Sequence, residues 1–161
     1  VSKKCIIVAC AIIGGFMLPI NKTISMIERY NLSFRDHQFA KFKLKGYQAS
    51  FLIEISKQSE YPMEALIETM HVDKSTITRG IQACVDLGYV VVSLSETDRR
   101  YKRLTLTPLG LEVKNQCVAI LKKQRLYLMQ DFDEESETQF LSFLNRLYTR
   151  AKELSSHEEN L

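Results

Sequence analysis

Two clusters of polar side chains carry the chemistry that this sequence offers. The first is Asp73-Lys74-Ser75-Thr76-Ile77-Thr78-Arg79, with Gln82 following. Asp73 suits a helix N-cap, because its carboxylate can accept a hydrogen bond from a backbone N–H that the first turn leaves unpaired. Ile77, Ile81, Cys84 and Leu87 recur at helical spacing and predict an inward stripe. Gly88 suits the left-handed position that ends a helix. Lys74, Ser75, Thr78, Arg79, Gln82 and Asp86 then share the outer face. Short hydroxyls, an amide and an arginine are side chains that bond to base edges and phosphates in a major groove. An ordinary solvated helix face has a similar composition, so this face by itself leaves both readings open.

The second cluster is Asp98-Arg99-Arg100-Tyr101-Lys102-Arg103, with four cations in the five residues from Arg99 to Arg103. Val90-Val91-Val92 before it and Leu104-Thr105-Leu106-Thr107 after it have β propensity. Ser95-Glu96-Thr97-Asp98 supplies turn residues between them. The charges are therefore expected at the tip of a hairpin. Charge at a sheet edge can serve only to discourage strand pairing. Arginine also favours a narrow, negative minor groove. An arginine-rich tip directly after a polar-faced helix favours the second use.

The order of these signals, from Asp73 to Gly110, resembles the MarR/SlyA-type family of winged helix-turn-helix transcription regulators. The segments that carry the resemblance are DKSTITR, LGYV, the DRR tip and LTLTPLG, in the family's order and spacing. It implies that Lys74, Ser75, Thr76, Thr78, Arg79 and Gln82 meet the major groove and its phosphates. It further implies that Asp98 orients the wing arginines, that Arg100 enters the minor groove, and that Arg99 and Lys102 assist. The implied protein is a cytoplasmic, sequence-specific DNA-binding regulator, a repressor released by a small ligand. Two alternatives stay open: a winged module that binds protein instead of DNA, and a thiol-based redox sensor.

The flanking sequence must position these clusters. Asn21 to about Gln38 reads as a helix, and Lys41 to Gly46 as a break. Tyr47 to about Ser59 reads as the next helix, with Phe51, Leu52 and Ile55 inward. Pro62 to Met70 gives a short helix with Leu66 and Ile67 inward, Pro62 taking the first helical position. His71-Val72 forms the turn into the polar-faced helix. Thr107 caps and Pro108 opens a long helix to about Gln130, interrupted at Asp131 to Asp133. Glu134 to about Ser155 is the last helix, with acidic residues in its first turn, as the helix dipole favours. The expected fold class is mainly α with a small antiparallel β-wing. Residues 47–107 form the winged helix-turn-helix, and residues 19–40 and 108–156 the dimerisation helices. Val113, Cys117, Ile120, Leu121 and Leu128 drift round the long helix, and Phe140, Phe143, Leu144, Leu147 and Leu154 line the last. That is more apolar helix than a monomer can cover. A homodimer is expected, reading a pseudo-palindromic operator with half-sites about one DNA turn apart.

The 161 residues suffice for one domain with a sizeable core, which we place at 17–161. The net charge of +3 identifies no partner, so distribution matters more. Residues 62–110 carry six cations and six anions, and residues 111–161 seven cations and nine anions. Any field that steers nucleic acid must come from the tip and the helix face. Residues 1–16 stand apart. Lys3-Lys4 and the apolar run from Cys5 have a signal-peptide outline, but the run is short for a membrane span of about 20 residues. Gly14-Gly15 before Met17 is what a translated ribosome-binding site looks like. Our expectation is a start at Met17, with residues 1–16 as upstream sequence; the rival is an apolar extension packed on a dimer.

No Gly-rich phosphate loop, nucleophile elbow or H-E-x-x-H motif occurs, so no enzyme, metal or cofactor is expected. His37, His71 and His157 are scattered. The four cysteines, Cys5, Cys10, Cys84 and Cys117, lack C-x-x-C spacing. Cys84 and Cys117 read as core. The family resemblance also implies a small aromatic or phenolic effector. Tyr30, Phe34, Tyr47 and Phe51 could line its cleft, with Arg29 or His37 as the polar contact; the same aromatics would equally serve as hinge core.

Overall fold

The computed structural model describes residues 19–70, 72–95, 98 and 100–156, in two compact units, one within Val1–Val118 and one within Ala119–Leu161. In the first unit, helix α1 spans Ile20–Phe39. A 3₁₀ turn, Ala40–Phe42, and a bend lead to α2, Gln48–Ile55. Strand β1 (Tyr61–Pro62) precedes α3, Met63–Met70. Helix α4 spans Lys74–Asp86. Strands β2 (Val90–Leu94) and β3 (Lys102–Leu106) follow, and α5, Pro108–Leu128, begins in this unit and ends in the second. The sheet is antiparallel, in the order β1-β3-β2. The fold class is as expected: mainly α, with a small antiparallel wing.

The core lies under α4. Phe51, Leu52 and Ile55 from α2, Leu66 from α3, Ile77 and Cys84 from α4, and Leu104 from β3 are enclosed. Ile67 is only half-buried, against expectation. Gly80 sets how near α4 comes to α2. A Cβ there would stand 2.5 Å from Phe51 Cε2 and 3.4 Å from Tyr47 Cε2. Gln48, itself buried, spans the same gap: its amide Nε2 donates to Gly80 O at 3.4 Å, and its Oε1 accepts from Lys45 N at 2.7 Å.

Three local features differ from the sequence pattern. The break from Lys41 to Gly46 takes its left-handed conformation at Lys43, at φ 57°, and not at its glycine. Gly46 is needed for a close approach instead: a Cβ would sit 2.9 Å from Leu32 Cδ1, and its N–H donates to Asp36 Oδ1. Helix α2 stops at Ile55, short of Ser59, because the chain turns towards the sheet. There Thr105 Oγ1 donates to Ser59 O at 3.0 Å, and Tyr61 pairs with Leu104. Pro62 consequently sits in β1 opposite Arg103 rather than at the first position of α3. An edge strand tolerates it, since proline has no N–H to pair.

That short strand is anchored on α2. Tyr61 Oη donates to Glu54 Oε1 at 2.9 Å, and Lys57 Nζ lies 2.7 Å from Oε2. The bond from Lys57 chiefly, with help from Tyr61 and against burial, holds the Glu54 carboxyl below its usual range. At the other end of the wing, Thr107 caps α5: its Oγ1 accepts from Gly110 N at 2.9 Å and donates to Gly88 O at 2.7 Å. Tyr89 Oη reaches across to Phe42 O at 3.0 Å.

In the second unit, Asp133 caps helix α6, Glu134–Ser156, accepting from Ser136 N at 2.8 Å. Arg125 pairs with Glu137, and Phe132 meets Phe140 at 5.4 Å. Phe143, Leu144 and Leu154 are exposed. In the first unit, Ile24, Ile27, Tyr30 and Phe34 are exposed on α1. No described helix is long and apolar enough to cross a membrane.

Because Phe51 is enclosed, Gly80→Ala is expected to cost about 1–3 kcal/mol, the scale of overpacking, read as a lower urea midpoint. Combining it with Phe51→Leu should cost less than the two single changes added together, since the smaller ring space relieves the clash. Strict additivity would show that Gly80 is not the contact point.

Candidate nucleic-acid interface

Helix α4 presents its polar face as the sequence expects. Ile77, Ile81 and Cys84 are buried, while Lys74, Ser75, Thr78, Arg79 and Gln82 are exposed and Thr76 is half-buried. Asp73 is the N-cap: Oδ1 accepts from Thr76 N at 2.8 Å and from Ser75 Oγ at 2.6 Å. These bonds, the Ser75 hydroxyl first, hold its carboxyl well below the usual range. Leu87 is the C-cap, and Gly88 takes φ 72°.

The outer side chains are bonded to their own helix. Thr78 Oγ1 donates to Lys74 O at 2.8 Å. Gln82 Nε2 donates to Asp86 Oδ1 at 2.8 Å. Arg79 lies back along the helix: Nε donates to Ser75 O at 3.3 Å, and Nη2 reaches Ser75 Oγ at 3.4 Å and Thr76 Oγ1 at 3.5 Å. All these contacts are solvent-exposed and exchange at low cost.

At the hairpin tip, Tyr101 N donates to Asp98 O at 3.0 Å, closing a turn, and Ser95 N donates to Tyr101 O at 2.9 Å. The Asp98 carboxylate grips Arg100 as a fork. Arg100 Nη2 lies 2.8 Å from Oδ2, Nε lies 3.2 Å from each oxygen, and the Arg100 backbone N–H donates to Oδ1 at 3.0 Å. The Arg100 side chain is nevertheless 85% exposed. The guanidinium is thus aimed without being covered. Its bond to Asp98 lowers that carboxyl below its ordinary range. Lys102 opens β3 opposite Leu94 and is exposed. Arg99 lies outside the described residues.

The residues named for an effector cleft divide. Arg29, Tyr30, Phe34 and His37 occupy exposed positions on α1. Tyr47 and Phe51 make an edge-to-face pair with ring centres 5.6 Å apart, and Phe51 is enclosed in the core. Tyr47 also lines a cavity of about 310 Å³ between the entry to α2 and the flank of α4, with Lys45, Gln48, Thr76, Arg79 and Ala83. The sequence reading missed this cavity. Its available signal was the alternation of Lys41, Lys43 and Lys45 with Phe42, Leu44 and Gly46, which the structure resolves into exposed cations and buried partners.

Both described cysteines are core. Burial pushes the Cys84 thiol up to about 12 and the Cys117 thiol up to about 11. Neither supplies a thiolate nucleophile near neutral pH. Cys5 and Cys10, with residues 1–16 generally, fall outside the described residues, as do His71 and His157. Among the described residues no three His, Cys, Asp or Glu side chains converge as metal ligands.

A capped helix with a polar outer face, preceded by a short helix and followed by a basic hairpin, defines a winged helix-turn-helix protein. No protein-family model and no curated protein matches the chain. Solved structures do. A MarR transcriptional regulator from Methanosarcina mazei Go1 is 26% identical, with a TM-score of 0.77 over 84% of this chain and 97% of that one. A mutant MarR from E. coli, complexed with operator DNA, is 18% identical, with a TM-score of 0.73 over 81% and 94%. The S. aureus MepR–DNA complex is 15% identical, with a TM-score of 0.78 over 83% and 98%. The fold is therefore that of the MarR/SlyA-type winged helix-turn-helix regulators.

The Asp98–Arg100 fork has a pH signature. A lowered carboxyl pKa contributes order that is present above the free carboxylate value and is lost as pH falls through the folded value. An NMR titration of the Asp98 carboxyl carbon should therefore show a midpoint below that of an exposed aspartate, about 3.9. Arg100→Ala should move it back up, and an unmoved midpoint would mean that the fork is not formed in solution.

Proposed function

We propose that this protein is a homodimeric, sequence-specific DNA-binding transcription regulator, a cytoplasmic repressor. The observation that carries the reading is the Asp98–Arg100 fork, a cation pre-aimed at the end of a hairpin beside a helix whose outer face is polar and uncovered. Lys74, Ser75, Thr76, Thr78 and Gln82 would meet the major groove, and Arg79 joins them there or at its phosphates. Arg100, with Arg99 and Lys102 beside it, would lie in the minor groove, where arginine is drawn by the negative potential. The acidic residues of the region do not oppose this strongly. Asp73 caps α4, Asp86 accepts from Gln82, and Asp98 holds Arg100. That two proteins of this fold were solved in complex with DNA supports DNA as the partner.

Each unit leaves apolar helix uncovered, on α1 and on α6. A second copy would cover it, through the helices in 19–40 and 108–156, and would set two recognition helices on a pseudo-palindrome about one turn apart. A small aromatic or phenolic effector would release the complex by binding the DNA-incompetent state more tightly. Arg29, Tyr30, Phe34, His37, Tyr47 and Phe51 are the residues proposed for that site, with Phe51 acting from the core behind it.

Selection of bound sequences from random duplex DNA at physiological salt tests the reading. One enriched inverted repeat is the expected result. Binding without preference, on the order of 10⁻⁴–10⁻⁶ M, would favour the protein-binding alternative. On the selected site Arg100→Ala should weaken affinity roughly ten- to a hundred-fold at fixed salt, the scale of one good arginine contact. An unchanged affinity would remove Arg100 from the interface.

A further inference from the structure

The cavity between the entry to α2 and α4 shares Thr76 and Arg79 with the polar face of α4 and Tyr47 with the residues named for an effector, and it adds Lys45 and Gln48. Its charged wall is Lys45 and Arg79, its polar wall Tyr47 and Thr76, and its floor the buried Gln48. Gln48 ties Lys45 N to Gly80 O, so the two flanks keep a fixed spacing. Arg79 is folded back towards Ser75 and Thr76, along α4, instead of projecting from it. Lys45 follows Lys41 and Lys43 in a segment where every second residue is an exposed lysine. Among the described residues none of the three has a carboxylate within ion-pair distance. The carboxylates nearest in sequence are already bonded: Asp73 to the α4 cap and Asp36 to Gly46 N. The cavity therefore carries two cations, Lys45 and Arg79, and no carboxylate in its lining, and it lies on the flank of the recognition helix.

Resting on the DNA-binding reading, we propose that this cavity is an anion site that receives one backbone phosphate of the operator in each half-site. Arg79 and Lys45 supply the charge, and Tyr47 and Thr76 add hydroxyl-bearing side chains to the lining. Arg79 is on this account a phosphate ligand that fixes register and reads no base, its guanidinium lying back along α4 at the mouth of the cavity. Tyr47 is assigned to the DNA backbone as well as to the aromatic pair with Phe51. Phosphate contacts position a protein on the duplex without carrying sequence information.

The test uses the full-length protein and the selected operator, scanned with single neutral methylphosphonate substitutions. In the wild-type protein one position per half-site should weaken binding, and that position should lose its effect in Arg79→Ala and in Lys45→Ala. Each variant should lower the slope of log K against log salt by about one while selecting the same sequence as wild type. Lys45→Arg should keep the coupling. Circular dichroism and urea unfolding of the variants control for folding, which exposed substitutions should leave intact. If Arg79→Ala relaxes the selected sequence at one base pair and no phosphate couples to it, the inference is overturned while the DNA-binding reading stands. If no sequence is selected at all, that reading fails first and this one with it. Inorganic phosphate without DNA separates the remaining source: saturable sub-millimolar binding lost in Lys45→Ala would assign the cavity to a small free anion and overturn the proposal.

Discussion

The spacing between α2 and α4 is the constraint on which the rest depends. Gly80 lets the two helices approach until the Phe51 ring fills the place of a side chain, and Gln48 bridges the same gap with one bond to Gly80 O while a second, to Lys45 N, fixes its amide. A wider spacing would leave a void behind Ile77 and Cys84, and interiors pack without voids of that size. A narrower one is barred by the ring. The inner stripe of α4 is consequently fixed in depth and rotation, and the outer face is fixed with it. A helix that reads another molecule must be held to within a fraction of an ångström by residues that never touch that molecule.

The wing is held from both ends. Tyr61 binds Glu54, Thr105 binds Ser59, and β1 pairs with β3, so the base of the hairpin is anchored to α2 and to the segment that follows it. Thr107 bonds to Gly88 at the exit of α4, and Tyr89 bonds to Phe42. The short strand is therefore a brace that relates the tip to the helix. Beyond the brace, the tip depends on one local device, the Asp98 fork on Arg100. Exposed ion pairs add little to stability, so the value of this one lies in direction: it removes rotamer freedom from an arginine before any partner arrives.

The outer face of α4 is satisfied without a partner. Ser75, Thr78, Arg79 and Gln82 each have a bond within their own helix. A nucleic acid would exchange these bonds one for one, and such exchanges leave a small net gain per contact. Affinity from such a face would come chiefly from charge and complementarity, and a mismatched base would be penalised by leaving a donor unpaired.

Much of this was legible in the chain. Asp73, Gly88 and Thr107 act on the few residues beside them, so local chemistry alone marks the ends of α4 and the start of α5. The Ile77, Ile81 and Cys84 stripe and the β-rich runs beside Asp98 are periodic signals of the same local kind. What the sequence could not determine is where long-range packing chose between local options. The left-handed bend fell on Lys43 because Gly46 was needed against Leu32, fourteen residues earlier in the chain. Pro62 entered a strand because β3, about forty residues later, offered a free edge. Lys45, just before α2, and Arg79 of α4 met across a cavity because Gly80 lacks the Cβ that would have kept α2 and α4 apart. Caps and stripes are properties of neighbours in sequence; close approach is a property of two surfaces, and only the folded chain brings both together.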